Sequence, residues 1–91
     1  MVVKQTGIFK RRVKKMHKDE KKALDEAVKI VMSDPAIGEM KVGDLAGIQV
    51  FKYKFNVLQY LIAYEYVDEE LLLTFIEHGT HENFYRDLKR Q

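Results

Sequence analysis

Apolar and polar positions follow two different periods along this chain, and the switch between them separates a helical first part from a β-rich second part. Val2-Val3-Lys4-Gln5 reads as a short first strand, and Thr6 is placed to cap the segment that follows. Phe9, Val13 and Met16 then fall at i, i+4 and i+7, with Lys10, Arg11, Arg12, Lys14 and Lys15 in the other directions, which predicts a basic amphipathic helix. The pattern breaks at His17-Lys18-Asp19 and restarts through Leu24, Ala27, Val28 and Val31. Asp34-Pro35 ends this second helix, because proline disfavours helical geometry in the residue before it. The result is an antiparallel helical hairpin.

Pro35 to Leu45 reads as a loop containing Gly38 and Gly43. From Val50 the period becomes two: Phe51, Tyr53 and Phe55 alternate with Lys52, Lys54 and Asn56, giving a strand with one aromatic and one cationic face. Asn56 to Gln59 turns the chain into a second strand, Tyr60 to Tyr66, and Asp68-Glu69-Glu70 turns it again. Leu71 to Ile76 is apolar on both faces and predicts a third, central strand. Gly79 is read as a sharp turn and Thr80 as the N-cap of a last helix. That helix places His81 and Tyr85 on one face, with Phe84 and Leu88 beside them.

These elements make an α+β domain: two N-terminal helices packed on a small antiparallel sheet of three to four strands, with a short C-terminal helix. Ninety-one residues suit a single domain spanning 1–91. The opposite sheet face is expected to be exposed, with Lys52 and Lys54 projecting from it and the segment from Thr80 to Tyr85 converging on them. Tyr53, Tyr60, Tyr64 and Tyr66 read as core and sheet residues, and His17 and His78 as surface residues.

Composition narrows the chemistry. There is no cysteine, so disulfides, thiolate metal sites and cysteine nucleophiles are excluded. No secretory apolar segment and no run of about 18 apolar residues appears, which makes a cytoplasmic protein the expectation. The two histidines of His78-Gly79-Thr80-His81 have no carboxylate at ligand spacing, so neither a metal nor a cofactor is expected. The net charge of +2 conceals an asymmetry: residues 1–22 carry nine Lys or Arg against two acids, and the rest carries seven against twelve. A cationic first third suits nucleic-acid phosphates or an acidic protein partner, although a solvated lysine-rich face gives the same composition.

The order of elements, the turn Asp44-Leu45-Ala46-Gly47, the strands Phe51-Lys52-Tyr53-Lys54-Phe55 and Tyr60-Leu61-Ile62-Ala63-Tyr64-Glu65, and above all Gly79-Thr80-His81-Glu82-Asn83-Phe84-Tyr85-Arg86 resemble the RelE/ParE superfamily of toxin–antitoxin toxins. The resemblance implies a RelE-like fold and one of two activities. RelE-like members cut mRNA in the ribosomal A site, leaving a 2′,3′-cyclic phosphate and a 5′-hydroxyl. ParE-like members inhibit DNA gyrase without nuclease activity. It also implies a cognate antitoxin, possession of which an inactive, orphan RelE-like domain would share.

Under the nuclease branch, the resemblance makes Lys54 the general base, Lys52 the phosphate clamp, His81 the general acid and Tyr85 the residue that stacks on or orients the cleaved nucleotide. Arg86 is a backbone contact or the partner of Glu82, and Lys10, Arg11, Arg12 and Lys14 supply phosphate contacts to RNA. One residue departs from the pattern. These nucleases usually carry an arginine in a Tyr-Arg pair early in the second of these strands, whereas Tyr60 is followed by Leu61. Loss of one transition-state donor costs about 10²–10³ in rate.

Overall fold

The computed structural model describes residues 1–80 and 84–89. The chain runs β1 (Val2–Gln5), α1 (Gly7–Lys14), α2 (Lys18–Ser33), β2 (Glu39–Met40), β3 (Gln49–Phe55), β4 (Leu58–Val67), β5 (Leu72–Thr80) and α3 (Phe84–Lys89). The sheet order is β1-β5-β4-β3-β2. All neighbours are antiparallel except β1, which lies parallel to β5 with Val2 opposite Leu72 and Gln5 opposite Phe75.

Local chemistry accounts for the boundaries. Thr6 caps α1 by accepting from the Phe9 amide at 3.1 Å, and its hydroxyl donates to the Ile76 carbonyl at 2.6 Å, so the cap also ties α1 to β5. Glu20 accepts from the His17 amide and from the Tyr60 hydroxyl, joining the start of α2 to β4. Asn56, at φ 56°, makes a tight turn between β3 and β4, shorter than the four residues expected from sequence. The expected Pro35–Leu45 loop contains the short edge strand β2 and a one-turn 3-10 helix over Gly43–Leu45.

Helices α1 and α2 cover one sheet face: Phe9, Leu24, Ala27 and Val31 pack on Ile62, Tyr64, Leu73 and Phe75. The opposite face is not open as expected. Phe84 and Leu88 of α3 cover it, packing with Leu45, Val50, Leu61 and Ala63. The sheet has five strands rather than three or four, and β4 rather than β5 stands at its middle.

One irregularity matters for the site. The β4–β5 register steps from Ala63 opposite Glu77 to Tyr64 opposite Phe75, so Ile76 is left without a direct partner. Phe75 and His78, three residues apart, would lie on opposite faces of a regular strand. With the extra residue, both meet Phe9 on the α1 side, at ring-centroid distances of 5.4 and 6.3 Å.

Candidate functional site

Lys52 and Lys54 stand exposed on β3, on the same face as Val50, Leu61 and Ala63. Lys52, Leu61 and Gly79 form one row across β3, β4 and β5. Neither lysine has an ion-pair or hydrogen-bond partner among the described residues. The aromatic side of the strand faces the helices as expected, with Phe51 and Tyr53 packed against their core.

Tyr85 is half-buried on α3 and packs beside the core beneath that helix. Phe84 meets it edge-on at 5.2 Å. The Lys41 ammonium lies 5.2 Å from the centre of its ring, and Glu39 holds Lys41 at 3.2 Å. A hydrogen bond with Tyr85, with the Glu39 carboxylate adding to it, raises the Lys41 pKa above the ordinary lysine value despite desolvation. Lys41 is the cation that sequence reasoning missed, because nothing in the loop's pattern connects it with a residue forty-four positions away. Arg86 is exposed on the same helix. His81 and Glu82 lie outside the described residues, and with them the proposed acid and the Glu82–Arg86 pair.

Gly79 and Thr80 are corrected by the structure. They continue β5 rather than turning and capping, with Gly79 opposite Leu61 and Thr80 opposite Tyr60. Extended pairing satisfies their backbone in the ladder, and no left-handed conformation is needed at Gly79.

His78 is also corrected, from surface to interior. It is 4% exposed, stacks parallel to Tyr60 at 5.5 Å, and has its Nε2 2.6 Å from the Tyr53 hydroxyl. Burial pushes its pKa down to about 4, with the Glu20 carboxylate opposing this and Arg12 reinforcing it. The neutral ring shares this hydrogen bond with the Tyr53 hydroxyl, and its tautomer sets which of the two donates.

The basic helix divides. Lys10, Arg11 and Lys14 are exposed along α1. Arg12 instead reaches to β5, where its Nε lies 3.0 Å from the Glu77 carboxylate, which is 2% exposed and also accepts from the His78 amide. A buried carboxylate demands such a counter-charge, and this arginine supplies it through a side chain that stays 44% exposed. A cavity of about 320 Å³ opens beside the pair, between α1, α2, the end of β5 and Phe84. Leu61 is fully buried beneath α3, within the core that Phe84 and Leu88 close. Among the described residues no cluster of three or more metal-ligating side chains occurs, and no helix is long and apolar enough to cross a membrane.

The site thus stands on a sheet flanked by a basic helical hairpin on one face and a short terminal helix on the other, with the strand lysines on the terminal-helix side. The chain belongs to the ParE-like toxins of type II bacterial toxin–antitoxin systems, whose family model matches residues 3–89. No curated protein matches it in sequence. Its fold is similar to an E. coli RelE toxin mutant in the free state, with a TM-score of 0.74 and 16% identity over 98% of this chain and 90% of that one. A chain of the intact E. coli RelBE toxin–antitoxin complex aligns with a TM-score of 0.70 and 18% identity, covering 89% of this chain and 96% of that one. For the Mycobacterium tuberculosis RelBE2 toxin–antitoxin complex the values are 0.69 and 21%, over 88% and 96%.

Proposed function

We propose that this toxin is a ribosome-dependent mRNA endoribonuclease, held inactive by a cognate antitoxin. The observation that carries the reading is the pair Lys52 and Lys54, exposed and without ion-pair partners among the described residues, on the sheet face flanked by α3 and its Tyr85. In this reading Lys54 removes the proton of a 2′-hydroxyl, whose oxygen attacks the adjacent phosphorus. Lys52 stabilises the charge that builds on the phosphoryl oxygens, and His81 protonates the departing 5′-oxygen. One P–O bond forms and one breaks, leaving a 2′,3′-cyclic phosphate and a 5′-hydroxyl. Tyr85, with the Lys41 ammonium held against its ring, orients the nucleotide. Lys10, Arg11, Lys14 and Arg86 supply sequence-independent contacts to RNA phosphates, so binding weakens steeply as salt rises. Structural similarity to chains of two toxin–antitoxin complexes supports the antitoxin as partner.

Cell-free translation tests this directly. Codon-positioned breaks in mRNA are expected, and they disappear in Lys54→Ala and His81→Ala variants; intact mRNA with continuing translation overturns the reading. The buried Leu61, at the position where the nuclease branch usually carries arginine, favours a reading without cleavage: an inactive RelE-like domain that binds an antitoxin, or gyrase inhibition of the ParE type. Gyrase-dependent DNA breaks with intact mRNA distinguish the latter.

A further inference from the structure

We propose that the outer edge of β3, from Phe51 to Phe55, receives an extended partner segment that alternates acidic and apolar residues. The geometry starts from a mismatch of lengths. β3 spans seven residues, but its outer neighbour β2 pairs only with Gln49 and Val50. From Phe51 onward the strand has β4 on one side and no strand on the other. None of these five residues makes a further backbone bond to a loop or cap. An edge about 17 Å long is therefore open to a sixth strand.

The side chains along this edge dictate what the added strand must look like. Directly opposed residues in an antiparallel pair share a face. On the helix side the edge presents the half-buried rings of Phe51, Tyr53 and Phe55, which favour apolar partners. On the other side it presents Lys52 and Lys54, which lack counter-charges among the described residues and favour carboxylates. Val57, 95% exposed, lies in the turn just beyond the end of the strand and extends the apolar contact.

The same lysines exclude a second copy of this chain. Antiparallel self-pairing about Tyr53 sets Lys52 opposite Lys54 twice, and like charges directly opposite are destabilising. The opposite edge of the sheet, β1, offers the exposed Val2 and Val3 with a single lysine, Lys4, and has no such two-sided pattern. Identification of the natural occupant as the antitoxin rests on the proposed function. Strand addition there covers Lys52 and Lys54, so it neutralises the toxin by occupying the surface that RNA requires.

Amide hydrogen exchange of the 91-residue protein, with a hexapeptide alternating glutamate and valine as the probe, tests the proposal. Slowed exchange within Phe51–Phe55 is expected, with binding at least tenfold weaker for a lysine–valine peptide and the preference reversed in the double variant Lys52→Glu, Lys54→Glu. Absent protection, protection along β1 instead, equal binding of both peptides, or a concentration-dependent dimer through β3 overturns it. Binding is read independently of activity. A protein that protects this edge but arrests no translation supports the edge and loses the nuclease mechanism; one that cleaves mRNA without protection does the reverse.

Discussion

The Tyr53 hydroxyl and His78 Nε2 lie 2.6 Å apart beneath the helical hairpin, joining β3 to β5 across β4. Burial favours the neutral imidazole there and lowers the His78 pKa from an unfolded value of about 6.5 to about 4. Between these values the unfolded chain binds more protons than the folded one, so stability falls as the pH is lowered from about 6.5 toward 4. The loss from this group is on the order of 3 kcal/mol by pH 4. Urea denaturation at pH 7, 5.5 and 4.5 reads it, and His78→Gln should flatten the profile over this range. An unchanged profile in that variant would assign the acid sensitivity elsewhere.

Breaking the Arg12–Glu77 pair strands a carboxylate in the interior. Arg12→Ala is expected to cost about 2 kcal/mol, below the 3–5 kcal/mol range for fully buried pairs because the arginine side chain is 44% exposed. Combining Arg12→Met with Glu77→Leu removes both charges and should recover much of the loss. Thermal denaturation of the single and double variants measures the coupling; additive losses would contradict it.

Two glycines should respond oppositely to alanine. A Cβ at Gly38 would stand 2.5 Å from the hydroxyl of the fully buried Tyr64, which donates to the Pro35 carbonyl and accepts from the Gly38 amide. Gly38→Ala should therefore destabilise the protein by about 2 kcal/mol, as overpacking does in a filled core. At Gly79 the nearest atom belongs to the Phe84 ring at 3.8 Å, an ordinary contact. Gly79→Ala is expected to leave the melting temperature unchanged or slightly raised, and a large drop would favour the sharp turn over the strand.

Introducing an arginine at position 61 should fail. Leu61→Arg places a guanidinium in a fully buried position under Phe84 and Leu88, losing the leucine's packing and stranding a charge. A loss of about 3 kcal/mol or more is expected, without a gain in mRNA cleavage. A stable Leu61→Arg protein with increased cleavage would show that α3 yields to admit the side chain.

Local periodicity was sufficient for much of this architecture. Phe9 and Val13 specify one helix face, and the alternation from Phe51 to Phe55 specifies which side of β3 meets it, because both patterns act over neighbouring residues. Thr6 was legible as a cap for the same reason. Lys52 and Lys54 could likewise be assigned to a common, solvent-facing side before any tertiary contact was known. The parallel pairing of β1 with β5, the cover that α3 gives to Leu61, and the approach of Lys41 to Tyr85 join distant positions, and no local period encodes them. His78 shows the cause most clearly. Strict alternation after Phe75 places it on the wrong face, whereas the extra residue at Ile76 turns it inward against Tyr53 and Tyr60. The sequence by itself determined the helical hairpin, the meander and the strand lysines, since each follows from short-range spacing of side chains. The tertiary structure alone decided that His78 and Glu77 are interior, that Arg12 pairs with Glu77, and that β3 outruns its neighbour. Those outcomes depend on strand register and on which surfaces the helices cover, and both are settled only when the whole sheet packs.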